Sequence, residues 1–317
     1  MGLDLLTLAS YDVMSDTKYS YTANFIANII ERYIKMTEWI RKNNNKDIEI
    51  KNVDGVELIS FKKLEETGIV RQGFSTRMGG VSKGIFSTMN LSFNRGDDKA
   101  AVEENFRRIA KALSSSTENM VFSDQTHTAN IRVVTEADRG KGIHYPLDYK
   151  DIDGLVTNEK NIMLVTFYAD CVPIYLVDTV NKAIGLCHSG WRGTTLKISC
   201  ETLKVMNEQY STKTENVLAV IGPSICQDCY EVSEDVIEEF VKKYGKDNSG
   251  KIAYKKDNGK YQLDLWKANK IALLEAGVLD ENITVTDICT CCNSELLFSH
   301  RASNGKRGNL AAFLELK

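Results

Sequence analysis

Histidine is scarce in this sequence. The 317 residues contain only four, at positions His127, His144, His188 and His300. Any site that uses imidazole, as a base or as a metal ligand, must therefore draw on these four positions. His144 lies in a polar stretch where a surface role is expected, which leaves three candidates.

Long hydrophobic runs and an excess of positive charge are also lacking. No run approaches the roughly 18 consecutive apolar residues that span a bilayer. The formal net charge is −3, which gives no basic field for nucleic acid. The first residues lack the basic start and apolar core of a secretory signal. We therefore expect a cytoplasmic protein with neither a membrane nor a nucleic acid as partner.

Cysteine is less rare, with eight residues. In a chain without a secretory signal these are expected to be reduced thiols that serve as small hydrophobes, ligands or nucleophiles. Cys226 and Cys229 have C-x₂-C spacing, whereas Cys289, Cys291 and Cys292 present C-x-C and C-C spacings. Buried thiols are the expectation for both groups, and a structural four-thiolate zinc site is the alternative.

Residues 1–47 differ in pattern from the rest. Apolar positions over residues 21–40 follow helical spacing, and the polar run Lys42–Asp47 has the composition of a linker. Met36 is an alternative start of translation. We predict an N-terminal extension over residues 1–47, which serves as a surface helix or frayed tail, and a single main domain over residues 48–317.

From residue 48 onward, short apolar runs alternate with segments of helical periodicity. The pattern predicts a mixed α/β domain without an internal repeat. Predicted helices cover residues 99–113, 194–210, 233–244 and 266–277. Predicted strands cover residues 56–61, 71–75, 120–122, 131–134, 163–167, 174–177, 183–188, 217–221, 283–286 and 310–314.

Three short segments place candidate ligands near the ends of predicted strands. Asp124–His127 precedes one strand, Ala169–Pro173 separates two apolar strands, and Cys187–Gly193 spans a change from strand to helix. Strand ends on a rigid scaffold are a common place for functional side chains.

The ligand types in these segments suit zinc. A thiolate from Cys171 and imidazoles from His127 and His188 leave the fourth tetrahedral position open, which is the pattern of catalytic sites. Asp170 is then a candidate proton acceptor, or a group that orients Cys171. By spacing alone, a buried cysteine and two unrelated histidines remain the alternative.

Two further segments carry groups for an anion. The turn Phe74–Gly84 combines glycines with Arg77, Ser82 and Lys83, which can cradle a phosphate; a tight surface turn is the alternative. It matches neither the P-loop nor the dinucleotide fingerprint. A late loop contains Arg301, with Lys306 and Arg307 beyond it, and is either a substrate contact or a solvated loop. We assign substrate binding to Arg77, Ser82, Arg192 and Arg301.

At these residues the chain resembles the YfiH family, also called laccase-domain or polyphenol oxidoreductase proteins. The resemblance extends from about Val56 to the C-terminus. It rests on blocks in a fixed order: Phe74–Ser82, Gln125–His127, Asp153–Val156, Ala169–Pro173, His188–Gly193, Gly222–Ile225, Cys229–Val232 and Phe298–Arg301. The chain departs from the family's pattern at His300, where tyrosine is common, and at Lys306, where glycine is common.

The resemblance implies a fold, a metal and an activity. The fold is a layered α/β/β/α domain similar to cysteine hydrolases of the cytotoxic necrotizing factor type. The metal is zinc, with copper as the alternative, on His127, Cys171 and His188. The activity is phosphorolysis of adenosine, inosine, guanosine and methylthioadenosine, together with deamination of adenosine, by a monomer or homodimer. Some bacterial members are linked instead to editing of peptidoglycan precursors.

The laccase name implies several coppers, each needing imidazole ligands of its own. Four histidines in the whole chain cannot supply them, so we exclude a multicopper oxidase. Our main hypothesis is a zinc-dependent purine nucleoside phosphorylase with adenosine deaminase activity, in which Asp170 shuttles protons and Arg77 with the glycine-rich turn holds phosphate. The alternative is a metal-free cysteine hydrolase with Cys171 as nucleophile and His188 as base. A non-enzymatic nucleoside-binding module is the third hypothesis.

Overall fold

The computed structural model describes residues 38–317, of which Trp39–Lys317 form one compact unit. The helix predicted over residues 21–40 lies outside the described residues except for its last three positions, and Met36 lies outside them as well. The boundary between residues 47 and 48 stays a prediction. No helix within residues 38–317 combines the length and apolar character needed to cross a bilayer.

The strands of the described chain belong to two six-stranded sheets and one small sheet. They are β1 (Ile48–Val53), β2 (Val56–Phe61), β3 (Val70–Ser75), β4 (Met120–Phe122), β5 (Ile131–Val133), β6 (Gly154–Thr157), β7 (Met163–Tyr168), β8 (Val172–Asp178), β9 (Ala183–Ser189), β10 (Val217–Ile221), β11 (Glu231–Val232), β12 (Ala253–Lys255), β13 (Tyr261–Leu263), β14 (Ile283–Val285) and β15 (Leu310–Leu316). The first sheet has the order β1-β2-β3-β15-β7-β4, the second β14-β10-β8-β9-β6-β5, and the small sheet β11-β13-β12.

The α-helices lie between groups of these strands along the chain. They are α1 (Lys62–Glu66), α2 (Lys99–Ala112), α3 (Trp191–Thr195), α4 (Ile198–Tyr210), α5 (Glu234–Ile252) and α6 (Leu265–Glu275). The mixed α/β class predicted from the sequence is therefore confirmed.

The two large sheets pack face to face. Their shared core contains side chains from both, such as Phe74 and Tyr168 from the first sheet and Tyr175 and Ile184 from the second. The Tyr175 hydroxyl crosses this core and donates to the backbone oxygen of Gly73 at 2.9 Å. Each fully buried side chain of this size contributes about 1.5–3 kcal/mol relative to an exposed one. This core holds the two sheets in a fixed relation.

Helices cover the outer faces of the sheets. Val102, Phe106 and Ile109 of α2 form a core with the first sheet, which the three- and four-residue spacing of these positions predicts. On the second sheet, α4, α5 and α6 pack their apolar faces over β8, β9 and β10. Both large sheets are therefore buried on two sides.

Several predicted boundaries were wrong. The helix expected over residues 194–210 is two helices, because Lys197 takes a left-handed conformation with φ of 52° and breaks the hydrogen-bond ladder. The helix expected to end at residue 244 is interrupted there, because Gly245 has non-helical angles (φ 76°, ψ 164°), but a second helical stretch that was not predicted follows it to Ile252. The strands β1, β6 and β11–β13 were not predicted; four of these five are two to four residues long, too short for a clear alternating pattern.

Residues 40–45 are hydrogen-bonded to the main body. The Arg41 guanidinium reaches both oxygens of buried Asp287 at 2.8 Å, and the backbone N–H of Asn45 donates to the same carboxylate at 2.8 Å. The side-chain amide of Asn45 also donates to the Val285 carbonyl. The polar composition that suggested a linker is therefore used for specific contacts.

Candidate metal-binding active site

The three ligands predicted from the sequence lie together. The ligand atoms of His127, Cys171 and His188 are all within 4.8 Å of one another, and His127 Nε2 is 3.9 Å from Cys171 Sγ. Tetrahedral zinc with ordinary bond lengths separates a sulfur and a nitrogen ligand by about 3.6 Å. The donor set and its spacing therefore fit a zinc ion, with a fourth position left for another ligand.

The topology explains why the three residues meet. Cys171 lies on the short connection in which the chain passes from β7, in the first sheet, to β8, in the second. His188 is the penultimate residue of β9, and pairs with Pro173 at the start of β8. His127 belongs to the loop before β5. The site is built where the ends of these segments converge.

Asp153 organises both histidine segments. Its carboxylate accepts from His188 Nδ1 at 2.7 Å and from the backbone N–H groups of Thr126, His127 and Thr128 at 2.8–3.1 Å. With Nδ1 of His188 occupied, Nε2 is the nitrogen left for a metal. Burial raises the pKa of Asp153, but these hydrogen bonds, above all from His188, outweigh it and lower that pKa.

The thiol and imidazole perturb each other's titration. Burial raises the pKa of Cys171, but the charge of His188 and a hydrogen bond with His127 outweigh burial and lower that pKa to about 6. Burial lowers the pKa of His188, but Cys171 and Asp153 outweigh burial and raise that pKa to about 9. Without a metal, the pair therefore exists at neutral pH as thiolate and imidazolium.

Gly190 permits the close approach of these ligands. A Cβ atom at this position would lie 2.7 Å from Cδ2 of His127 and 3.2 Å from Sγ of Cys171. Its φ of −68° is open to any residue, so the glycine is required by space and not by backbone conformation. Gly190 is therefore part of the site, because a larger residue there would push His127 and Cys171 apart.

A cavity of about 520 Å³ opens beside the three ligands. Aromatic side chains form much of its wall, and Phe93, Phe122, Phe167 and Tyr145 are among them. Flat apolar rings of this kind suit a purine base. The volume lies within the ordinary range for small-molecule sites.

Two arginines give the same cavity a positive region. Arg95 and Arg307 both line it, and Arg307 is buried. Burial, followed by the charge of Arg95, lowers the pKa of Arg307 to about 10, so the guanidinium remains charged at neutral pH. Among the described residues, Arg307 Nε has no hydrogen-bond partner. A buried cation with a free donor beside a second cation favours an anionic ligand.

The glycine-rich turn lies elsewhere. Arg77 donates to the backbone oxygens of Ser87 and Ser294 at 2.9 and 2.7 Å, and Ser82 is buried against the Asn105 amide. A Cβ on Gly80 would meet the Thr88 oxygen at 2.1 Å, so backbone packing accounts for a glycine there. Neither Arg77 nor Ser82 lines the cavity. Their substrate role stays a prediction, and these contacts do not support it.

The other predicted residues are Asp170, which precedes Cys171, Arg301, which is bonded to Asp170, and Arg192. Both oxygens of Asp170 accept hydrogen bonds at 2.7 Å, one from the Thr290 hydroxyl and one from the Arg301 backbone N–H. The Arg301 guanidinium donates to the carbonyl of Cys229 and stacks over the Tyr230 ring. Arg192 is exposed and stacks over Trp191. Neither Arg192 nor Arg301 is among the described residues that line the cavity.

Sequence reasoning missed Asp153 and Arg95 as site residues. Asp153 immediately precedes β6, which was not predicted, but it opens the family block Asp153–Val156, and that block was a usable signal. Arg95 lies in the single helical turn Phe93–Arg95, and no local pattern marks it. Arg95 becomes recognisable as a site residue only when the fold places it in the same cavity as Arg307.

Fold and site together define a mixed α/β protein with a two-histidine, one-cysteine centre beside an aromatic and cationic cavity. The chain belongs to the family described as "Multi-copper polyphenol oxidoreductase laccase", which matches residues 71–317. This confirms the family resemblance found in the sequence blocks.

Relatives with named activities and a solved structure place the chain more closely. It is 36% identical over 246 residues to the Bacillus subtilis (strain 168) protein named purine nucleoside phosphorylase YlmD, covering 77% of this chain and 88% of that one. It is 34% identical over 248 residues to adenosine deaminase RL5 from an unknown prokaryotic organism, covering 77% and 94%. The crystal structure of Bacillus licheniformis hypothetical protein YfiH matches with a TM-score of 0.79 at 32% identity, covering 86% of this chain and all of that one.

Proposed function

We propose that the protein is a zinc-dependent purine nucleoside phosphorylase with adenosine deaminase activity. The observation that carries the proposal is the convergence of His127, Cys171 and His188 on a cavity with aromatic walls and two arginines. The substrates are adenosine, inosine, guanosine and methylthioadenosine, with phosphate as co-substrate. The names of the relatives support both activities.

The fold assignment is part of the same proposal. We assign the layered α/β/β/α domain of the cytotoxic necrotizing factor type to residues 48–317. The order of the hydrophobic cores supports it: α2 on the first sheet, then the inter-sheet core, then α4–α6 on the second sheet.

Zinc, rather than copper, is the metal that we assign to His127, Cys171 and His188. When bound at three protein ligands it supplies a water molecule whose pKa is lowered toward ~7. The protein's own contribution is to hold the ligands. Asp153 fixes the His188 ring, and Gly190 leaves room for His127 and Cys171 to approach each other.

The cavity residues bind and orient the substrate. The rings of Phe93, Phe122 and Phe167 provide flat surfaces for the purine, and Arg95 and Arg307 hold phosphate. Holding both reactants in one cavity replaces a bimolecular encounter with an oriented pair, which accounts for much of the acceleration in such reactions.

We assign Asp170 the role of positioning Cys171, in place of the proton transfer expected from the sequence. Both carboxylate oxygens already accept hydrogen bonds from the protein, and its backbone has φ of 89°. This left-handed conformation is uncommon for a residue with a side chain. The contacts with Thr290 and Arg301 hold the residue in this conformation, and so set the direction from which Cys171 enters the site.

The test is chromatographic product analysis after incubation of the purified chain with adenosine and phosphate. We expect adenine and ribose 1-phosphate from phosphorolysis, and inosine from deamination. Cys171→Ser should abolish both, while Cys200→Ser, on α4, should leave both unchanged. Full activity of Cys171→Ser with undiminished metal would overturn the proposal.

The lowered pKa of Cys171 beside His188 is the observation that keeps a cysteine hydrolase as the second candidate. In that case Cys171 is the nucleophile, His188 the base, and peptidoglycan precursors are the candidate substrates. This function requires covalent labelling of Cys171 by substrate and full activity of the metal-free chain. Loss of activity on metal removal, with recovery on return of zinc, would exclude it.

A further inference from the structure

Two loops outside the cavity bring four cysteines together. Cys226 and Cys229 follow β10, and Cys289 and Cys292 follow β14. β10 and β14 are parallel neighbours in the second sheet, so the loops that leave their carboxyl ends start at the same edge. A further parallel bridge joins Ser224 to Cys289. The sheet therefore fixes how the two loops meet.

The four sulfur atoms have the spacing of a metal site. All lie within 4.8 Å of one another, with Cys229 and Cys292 at 3.5 Å and Cys226 and Cys292 at 4.0 Å. Four thiolates around tetrahedral zinc are separated by about 3.8 Å. A disulfide would need about 2.05 Å, and all four residues are free cysteines.

The surroundings also favour sulfur as a ligand. The backbone N–H groups of Cys226 and Cys292 are directed at Cys289 Sγ, at 3.2 and 3.4 Å. Cys226 and Cys289 are buried, and Cys229 and Cys292 are partly exposed. Backbone donors aimed at a sulfur stabilise a thiolate more than a neutral thiol.

The spacing in the sequence agrees with this arrangement. Cys289 and Cys292 are separated by two residues, as are Cys226 and Cys229. The sequence therefore contains C-x₂-C twice, the spacing of four-thiolate zinc sites. Cys291 lies between Cys289 and Cys292 but is not part of the group. The sequence left buried thiols as the expectation and a four-thiolate site as the alternative, and the structure brings the two cysteine pairs together.

We propose that Cys226, Cys229, Cys289 and Cys292 hold a structural zinc ion that is distinct from the metal at the cavity. On binding, four S–H bonds break, four Zn–S bonds form and four protons pass to solvent, with no change of oxidation state. Four protein ligands leave no position for water or substrate, so the ion serves the fold and not the reaction.

The two loops of the four-cysteine site are hydrogen-bonded to the segment that carries Cys171. Ile225, next to Cys226, donates its backbone N–H to the Asp170 carbonyl at 2.9 Å. Thr290, next to Cys289, donates its hydroxyl to the Asp170 carboxylate at 2.7 Å. Each half of the zinc site therefore holds one side of Asp170, the residue immediately before Cys171.

The primary experiment is elemental analysis of the purified full-length chain by inductively coupled plasma mass spectrometry. A Cys171→Ser background removes the cavity ligand, and this chain should retain one equivalent of zinc. Adding Cys229→Ser to the Cys171→Ser chain should remove this zinc and lower the melting temperature. Adding Cys291→Ser, a half-buried thiol in the same loop, should leave the zinc in place.

These outcomes separate this site from the proposed function. If Cys171→Ser binds as much metal as the native chain, the metal at the cavity is refuted while this site stands. If the Cys171→Ser chain contains no zinc, contains iron instead, or loses zinc equally with Cys291→Ser, the four-cysteine zinc site is overturned.

A second measurement does not depend on a destabilising variant. Metal-free Cys171→Ser chain is titrated with Co²⁺, which reports a tetrahedral thiolate site by thiolate-to-cobalt charge-transfer bands and intense visible bands. One equivalent of Co²⁺ should saturate these bands, and zinc should displace it. Absence of the bands, or a non-reduced intact mass that shows a disulfide among the four cysteines, would overturn the proposal.

Discussion

The cavity site and the four-cysteine site use similar ligands in different numbers. At the cavity, His127, Cys171 and His188 supply three ligands beside an open space, and Asp153 supports one of them from behind. At the loops after β10 and β14, four sulfur atoms surround one point. A three-ligand set leaves a position for chemistry and a four-ligand set does not. Under the two proposals, one sheet carries both a reactive and an inert metal centre.

The largest expected difference between the two sites is their response to a chelator. A small chelator can reach the open position at the cavity, whereas four thiolates leave it no position to occupy. We expect phosphorolysis and deamination to fall to background while one equivalent of zinc remains with the chain. Activity and zinc content measured on the same dialysed sample check this. If the chelator removes both equivalents of zinc at the same rate, the two sites do not differ in accessibility.

Asp153→Asn should weaken the cavity metal by about 10–100-fold, the usual effect of losing a carboxylate behind a ligating histidine. An asparagine amide can present a donor to His188 Nδ1, which favours the wrong tautomer. Competition with a metallochromic chelator measures the affinity. The zinc of the four-cysteine site is the internal control, and a parallel loss there would indicate general unfolding.

The pH dependence of metal binding at the cavity follows from His188 and Cys171. In the metal-free chain the pKa of His188 is raised to about 9 and that of Cys171 is lowered to about 6. Between these values, zinc must displace the proton on His188, so affinity rises about tenfold per pH unit. Below pH 6 the Cys171 proton steepens the fall. Calorimetry in buffers of different ionisation enthalpy should show more than one proton released per zinc at pH 7.5, because His188 loses one and water at the fourth position, with its pKa lowered toward ~7, loses part of another. No release would contradict this assignment.

Arg307→Gln should act on one reaction only. The variant removes the buried charge assigned to phosphate, so KM for phosphate should rise by about tenfold, the order expected for one charge-assisted hydrogen bond. Deamination, which uses no phosphate, should be unchanged, as should the zinc content of both sites. Arg77→Gln is the comparison variant. If it raises KM for phosphate and Arg307→Gln does not, the phosphate belongs at the glycine-rich turn instead.

The sequence predicted the features that short patterns determine. The mixed α/β class, most of the strands, and the three cavity ligands follow from local periodicity and from ligand types at strand ends. Family resemblance added the grouping of His127, Cys171 and His188, which spacing alone left open. The break at Lys197 was not predictable in this way, because a lysine in a left-handed conformation has no signal such as a glycine provides.

The remaining parts of the site depend on contacts between distant segments. Arg95 and Arg307 are more than two hundred residues apart in the chain, and hydrogen bonds of residues 90–91 with Asn309 join the two segments that carry them. The sequence left Asp170 either as a proton acceptor or as a group that orients Cys171, and in the structure both of its carboxylate oxygens accept hydrogen bonds, from Thr290 and Arg301. The tertiary fold decides whether such a side chain is available for chemistry.

Strand β9 places two very different side chains next to each other. Cys187 contacts the helical core, where burial raises its pKa to about 12, and His188 faces the cavity. Pairing with both β6 and β8 fixes this alternation. A slip of one residue would exchange the two faces, and a slip of two would keep the face but move the imidazole by about 6.6 Å. The turn between β8 and β9 should therefore tolerate many substitutions but no insertion or deletion. A related chain with a longer or shorter turn here is expected to lose the site even if it keeps the ligand residues.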